Sequence, residues 1–294
     1  MTPRSVALIT RPGIQRHGSG LVTYDVGADH IGAAIEPFIF VSLYDMTGPT
    51  FPPHPHAGFS VATYILPESP IGFINQDSLG NRNRIAPGAL HVTVAGSGVI
   101  HEEQPEKPGA AARGFQIWID HRTADREIAP HALHVRNDAM PSVRDAGMTG
   151  RVVLGEVLGN TAPVAAPTPV HVVDVELEAG GELRLPLPSG ENIFLFLHRG
   201  SVMEADQSLA APAVIVLADD GDTITATAGP DGARLTLFAG APLGEARVQQ
   251  GPFVGSDYGQ LARFFGNYQG GVFGALPPIA AQPDWTPNDG QIIP

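Results

Sequence analysis

The stretch His54-Pro55-His56-Ala57-Gly58-Phe59-Ser60-Val61-Ala62-Thr63-Tyr64-Ile65-Leu66 decides how this chain is read. From Phe59 to Leu66 it is apolar and rich in β-branched and aromatic residues, as a buried strand requires. Just before it stand two histidines two residues apart. In extended backbone, residues i and i+2 project to the same side, so His54 and His56 share a face. The spacing returns at His101-Glu102-Glu103, behind the Gly96-Ser97-Gly98 bend. There His101 and Glu103 share a face, and Glu102 is expected to point away as a rim or solvent residue. If both faces look into one barrel, His54, His56, His101 and Glu103 meet. Such a donor set suits a redox-capable transition metal better than Mg²⁺ or Ca²⁺. It would leave positions open on a six-coordinate ion for a bidentate organic ligand, or for substrate beside O2.

Working outward, strand signals recur at roughly 8–12 residue spacing, the pattern of a sandwich or barrel. In the first half they are residues 35–44, 59–66, 89–94, 99–101 and 115–119, with turns at Pro67-Glu68-Ser69-Pro70, Ser78-Leu79-Gly80-Asn81 and Pro87-Gly88. Residues 121–150 read as a polar connector containing Pro130 and Pro141. A second series follows at 151–156, 170–177, 193–197, 213–217, 223–227 and 233–238, with turns at Gly180-Gly181, Pro188-Ser189-Gly190 and Gly229-Pro230-Asp231-Gly232. The pattern predicts an all-β protein of two similar domains, 1–130 with the metal site and 131–294 without one. One helix is expected over Tyr258–Tyr268, capped by Asp257 or Ser256, with Leu261, Phe264, Phe265 and Tyr268 at helical spacing. The tail from Ala275 to Pro294 is Pro-rich and is expected to run extended or loose.

Composition narrows the function classes. The net charge is −13 with 17 basic residues and no Lys/Arg cluster, which argues against direct nucleic-acid binding and against an anionic membrane surface. With no cysteine, disulfides, thiolate metal sites and Cys nucleophiles are excluded. Residues 1–7 contain no signal-peptide h-region, and apolar runs such as Ile193–Leu197 are too short to span a bilayer, so a soluble cytoplasmic protein is expected. The 35 Gly and 28 Pro are spread along the chain, as many short strands and tight turns demand. No G-x-S-x-G, P-loop or helix-opening G-x-G-x-x-G is present.

The other histidines lack a partner at metal-ligand spacing. His91, in an apparent strand, either lines the cavity, packs in the core or is exposed. His121, His131 and His134 fall in the connector and are expected to be solvated. His17, His30, His171 and His198 suggest no second metal site. Asp219-Asp220-Gly221-Asp222 lacks the EF-hand spacing and closing Glu, and is read as a hairpin turn.

The chain resembles the pirin family of the cupin superfamily. The resemblance is carried by residues 51–59, Asp77-Ser78-Leu79-Gly80-Asn81, Pro87-Gly88, residues 95–103, Phe115-Gln116-Ile117-Trp118-Ile119 and Gly251-Pro252-Phe253-Val254, in that order. It implies a bicupin: two jelly-roll β-barrels facing each other, with metal in the N-terminal one only, held by His54, His56, His101 and Glu103. The implied ion is Fe(II), with Zn, Mn, Ni or Co as other occupants. The implied activity is that of a quercetin 2,3-dioxygenase acting with O2 on a small aromatic, flavonol-like enolate and releasing CO, with Glu103 as the base. The alternatives are a metal- or redox-responsive regulator that binds a protein partner, as a transcription cofactor does, and a cupin that has lost function. Ala57, Ser60, Asn75 and His91 stand where the family often carries a basic residue, Glu, His and Gln.

Overall fold

The computed structural model describes residues 2–145, 147–204, 207–282 and 284–287. Its first half folds into β1 (Val6–Thr10), β2 (Gly13–His17), β3 (Leu21–Val26), β4 (Phe38–Met46), β5 (His54–His56), β6 (Phe59–Ile65), β7 (Phe73–Asp77), β8 (Arg82–Ile85), β9 (Leu90–Val94), β10 (Val99–Pro105), β11 (Ala112–Asp120) and β12 (His131–Val135). Two antiparallel sheets result, ordered β12-β9-β6-β11-β4-β3-β2 and β5-β10-β7-β8, and they enclose a cavity between them. Alternation along the larger sheet assigns the faces. Phe40, Ser42, Tyr44 and Met46 of β4 line the cavity, as do Gln116 and Trp118 of β11. Val41, Leu43, Phe115, Ile117, Ala62 and Tyr64 belong to the opposite face, a core shared with the second half.

The second half builds a nine-stranded sheet around Met148–Leu154, His171–Leu177, Asn192–Glu204, Ala213–Leu217 and Thr223–Gly240. Its interior is filled with Val, Leu, Ile and Ala, among them Val173, Val175, Leu195, Leu197, Leu235 and Leu237. Aliphatic packing of that kind offers no donor to a metal. Its other face meets the first barrel through aromatic rings. Phe38 lies edge-on to Phe194 and Phe238, and Phe115 edge-on to Phe196 and Phe238. Each fully buried Phe contributes about 1.5–3 kcal/mol over its exposed state, so this seam fixes the barrels face to face.

The chain ends cross the seam. β1 pairs with Ala213–Leu217 of the second sheet. The acidic run makes the adjoining turn and clasps the N-terminus: Thr2 N donates to Asp222 (2.6 Å), Ser5 N to Asp220 (2.9 Å), and Arg4 pairs with Asp219 (2.9 Å). At the other end, helix Tyr258–Gln269 is capped by Asp257, which accepts from Gln260 N at 2.8 Å. Its Leu261 and Phe264 pack on Ala57 and Ile100 of the first barrel. Of the Pro-rich tail, Pro277 and Pro278 lie against the first barrel, where the Pro277 carbonyl accepts from Gln76 at 2.7 Å; Pro283 and residues 288–294 lie outside the described residues.

Several expectations are corrected. The connector is structured: β12 extends the first sheet by pairing with β9, and Ser142–Asp145 pairs with Met148–Leu154. The change of sheet therefore falls after 135, with β1 exchanged to the second sheet. Residues 223–227 and 233–238 join in one long strand, Thr223–Gly240. The Gly229–Gly232 segment is accommodated by the register shift between Gly200, opposite Ala233, and Val202, opposite Ala228. Among the described residues, no helix is long and apolar enough to cross a membrane.

Candidate metal centre

β5 and β10 pair antiparallel with His54 opposite His101 and His56 opposite Val99. Directly opposed residues project to one face, so the ladder turns His54, His56 and His101 to the same side. Two glycines hold this corner. Gly58 (φ +87°) follows β5, and a Cβ there would lie 1.8 Å from the Val254 carbonyl oxygen. Gly98 (φ +134°) precedes β10, and its Cβ would lie 1.9 Å from the Phe273 ring. Both need glycine for conformation and for space. Arg126, fully buried, ties the corner together. It donates to the Gly58 carbonyl (3.0 Å), to Asp120 (2.7 Å) and to Ser256 Oγ (3.1 Å).

One ring nitrogen from each of His54, His56 and His101 lies within 4.8 Å of the others, a group that could hold a metal ion. Nε2 of His54 and Nε2 of His101 are 3.1 Å apart. His54 Nδ1 donates to the Pro52 carbonyl at 2.9 Å, so its Nε2 presents a lone pair. Burial lowers the pKa of all three rings, His56 and His101 well below the usual range, and proximity to the other rings adds to the effect there. The Pro252 carbonyl works against this at His56, though His56 Nδ1 meets no partner in hydrogen-bond geometry. Convergent neutral imidazoles are ligands in their metal-binding protonation state.

Glu103 faces the same cavity but lies outside the 4.8 Å group. Its Oε2 accepts from Thr63 Oγ1 at 2.8 Å, and Thr63 Oγ1 accepts from Gln116 Nε2 at 3.2 Å. Among the described residues, its Oε1 is buried without a partner. Burial pushes the carboxyl up to about 7, against the opposing effect of the Thr63 bond. A buried, unpartnered carboxyl oxygen in the same cavity as three neutral imidazoles fits a divalent transition ion. Tyr44 Oη, also on the cavity wall, is likewise buried and unpartnered. The cavity, about 350 Å³, is walled by Phe40, Tyr44, Phe51, Phe73 and Trp118.

Glu102 points away from this face, as parity predicts, but it is not a rim residue. It is 2 % exposed, because the C-terminal segment covers it. Its carboxylate accepts from Gln76 Nε2 and from Ile279 N, each at 2.8 Å. His91 lies outside the cavity lining, buried between Asn75 and Asn83 at 3.4 Å each. His121, expected in solvent, is fully buried and paired with Ser60 Oγ at 2.7 Å. Sequence reasoning missed Asp25, Tyr44, Thr63 and Gln116. The i, i+2 alternation along β3, β4, β6 and β11 carried that signal.

Two β-barrels packed face to face, one gathering three imidazoles into a cavity and the other filled with aliphatic side chains, define a bicupin. The profile for pirin matches residues 22–119 and that for the pirin C-terminal cupin domain matches 172–274. A Pseudomonas aeruginosa relative, provisionally named a quercetin 2,3-dioxygenase, is 31% identical over 252 residues, covering 81% of this chain and 86% of its own. The chain belongs to the pirin family. A quercetin 2,3-dioxygenase of Acinetobacter baumannii superposes with a TM-score of 0.83 at 21% identity, over 93% of this chain and 99% of its own. The bacterial pirin YhhW of Escherichia coli, in complex with nickel(II), does so with 0.62 at 18% identity, over 80% and 100%. Both likenesses concern the fold.

Proposed function

We propose that this protein is a metal-dependent oxygenase of the quercetin 2,3-dioxygenase type, acting on flavonol-like enolates with O2. His54, His56, His101 and Glu103 would hold the ion, Fe(II) first, with Zn, Mn, Ni or Co compatible with the same donors. When bound, the metal supplies Lewis acidity toward an enolate oxygen and access to O2 chemistry.

The chain's own residues do the rest. Glu103 takes the proton from the substrate hydroxyl at Oε1, while Thr63, itself oriented by Gln116, keeps Oε2 in place. The aromatic walls take a planar ring system and keep water from it. Tyr44 Oη offers a donor toward the ligand.

The observation that carries the reading is the unpartnered, buried Oε1 of Glu103 in the cavity that also receives the three imidazoles. The name of the Pseudomonas relative supports the substrate class. The test is an oxygen-electrode assay with quercetin on protein loaded in turn with Fe, Mn, Ni and Co. Equimolar O2 uptake and CO release are expected, lost in Glu103→Gln. No turnover with any of the four metals would overturn the reading.

A further inference from the structure

A second carboxylate faces the cavity, and the oxygenase reading gives it no task. Asp25, on β3, lines the cavity with Thr23 and Leu21 of its own strand and Ser42 of β4. Its Oδ1 accepts from Ser42 Oγ at 2.6 Å and its Oδ2 from Thr23 Oγ1 at 3.1 Å. Both donors are neutral hydroxyls, and among the described residues no lysine or arginine lines the cavity. An ionised carboxylate has about four lone-pair sites, so roughly half of Asp25's acceptor capacity is unused. The β5–β10 corner with the imidazoles and the floor of β3 and β4 with Asp25 belong to different sheets of the barrel. A ligand lying between them meets the imidazoles on one sheet and an acceptor-only group on the other.

We infer that Asp25 determines specificity, accepting a hydrogen bond from a hydroxyl on the part of the substrate remote from the histidines, and rejecting anionic substituents there. The inference rests on the oxygenase reading for the placement of the ligand. A carboxylate on the ligand would face Asp25 with no lysine or arginine among the described lining residues to offset the repulsion. A hydroxyl finds a charged acceptor already held by Ser42 and Thr23. Hydrogen bonds to charged groups are strong enough that losing this one lowers affinity about tenfold or more. Asparagine at position 25 abolishes the preference. Its one carbonyl can keep only the Ser42 or the Thr23 bond, and an amide NH2 replaces the other, charged acceptor oxygen.

The test is calorimetric titration of nickel-loaded protein without O2, using three flavonols whose pendant ring is 3′,4′-dihydroxyphenyl, phenyl or 4′-carboxyphenyl. Wild type is expected to bind the dihydroxy probe about tenfold tighter than the phenyl probe, and the carboxylate weakest. Asp25→Asn should bring the dihydroxy and phenyl probes within about twofold and improve the carboxylate. Ser42→Ala, which keeps the carboxylate, should retain the wild-type order. Equal binding of all three probes by wild type would overturn the role of Asp25 and leave the oxygenase reading standing, whatever the variants do. No binding of any probe would overturn both.

Discussion

His54 Nε2 and His101 Nε2 face each other at 3.1 Å across the β5–β10 ladder. With His54 donating through Nδ1 to Pro52, two ring nitrogens this close either share one proton or turn two lone pairs on a cation. Replacing His101 by Ala removes one side of that pair without touching β5. We expect metal affinity to fall by more than about 100-fold, beyond the usual effect of losing an outer-shell partner. Elemental analysis after equilibrium dialysis would measure it, and undiminished metal content would remove His101 from the site.

Thr63 holds one oxygen of Glu103 and leaves the other free. Thr63→Val keeps the shape and deletes the donor. Because the Thr63 bond favours the charged carboxylate, its loss raises the Glu103 pKa further. The acidic limb of the pH–rate profile with flavonol should therefore move to higher pH, with kcat down about tenfold or more. A purely structural Thr63 would lower stability and leave the limb where it is.

Tyr44 stacks on Phe73 with ring centroids 5.2 Å apart, yet among the described residues its buried hydroxyl has no partner. A buried unsatisfied hydroxyl costs about 1–3 kcal/mol. Tyr44→Phe is therefore expected to raise the thermal midpoint of ligand-free protein and to weaken flavonol binding about tenfold. If midpoint and affinity fall together, the hydroxyl has a structural partner instead.

The fold was legible because strand parity is a local rule. The i, i+2 spacing placed His54, His56, His101 and Glu103 on cavity-facing positions, and it turned Glu102 away. What parity could not show was what lies on the other side of a strand. Glu102 is covered by residues some 175 positions later in the chain, where Ile279 N meets its carboxylate. His121 is buried because Ser60, 61 residues earlier, meets its ring. The 121–150 segment read as a connector because its polar residues and prolines obscure a strand that pairs at the sheet edge, β12 on β9.

The Glu102 clasp leads to a prediction of its own. Glu102→Ala would leave Gln76 Nε2 and the Ile279 N–H without that acceptor in a buried setting. A loss of about 2–4 kcal/mol is expected, with faster proteolysis after residue 270, whereas Glu102→Gln keeps an acceptor and loses less. Unchanged proteolysis of the Ala variant would show that the tail is held by Trp285 and Gln282, which also bond Gln76.

His198 gives the last prediction, because it lies at the seam and away from the cavity. Its ring sits edge-on to Phe115 with centroids 5.8 Å apart, and its Nε2 is buried without a partner among the described residues. Burial pushes its pKa down to about 3; Asp174 opposes the shift, and Arg234, Arg113 and Arg199 reinforce it. The unfolded chain protonates this ring near 6.5, so its contribution is fully present above pH 6.5 and is lost as pH falls toward 3. In that window the unfolded state holds up to one more proton, a slope of about 1.4 kcal/mol per pH unit. Glu103, raised to about 7 from 4.5, has the opposite slope between those values in metal-free protein. The difference between wild type and His198→Gln cancels that contribution. Urea midpoints at pH 7 and pH 4.5 should show the wild type losing about 2–3 kcal/mol more than the variant over the interval. Parallel losses would mean that His198 is protonated in the folded protein, with the charge stabilised by Asp174.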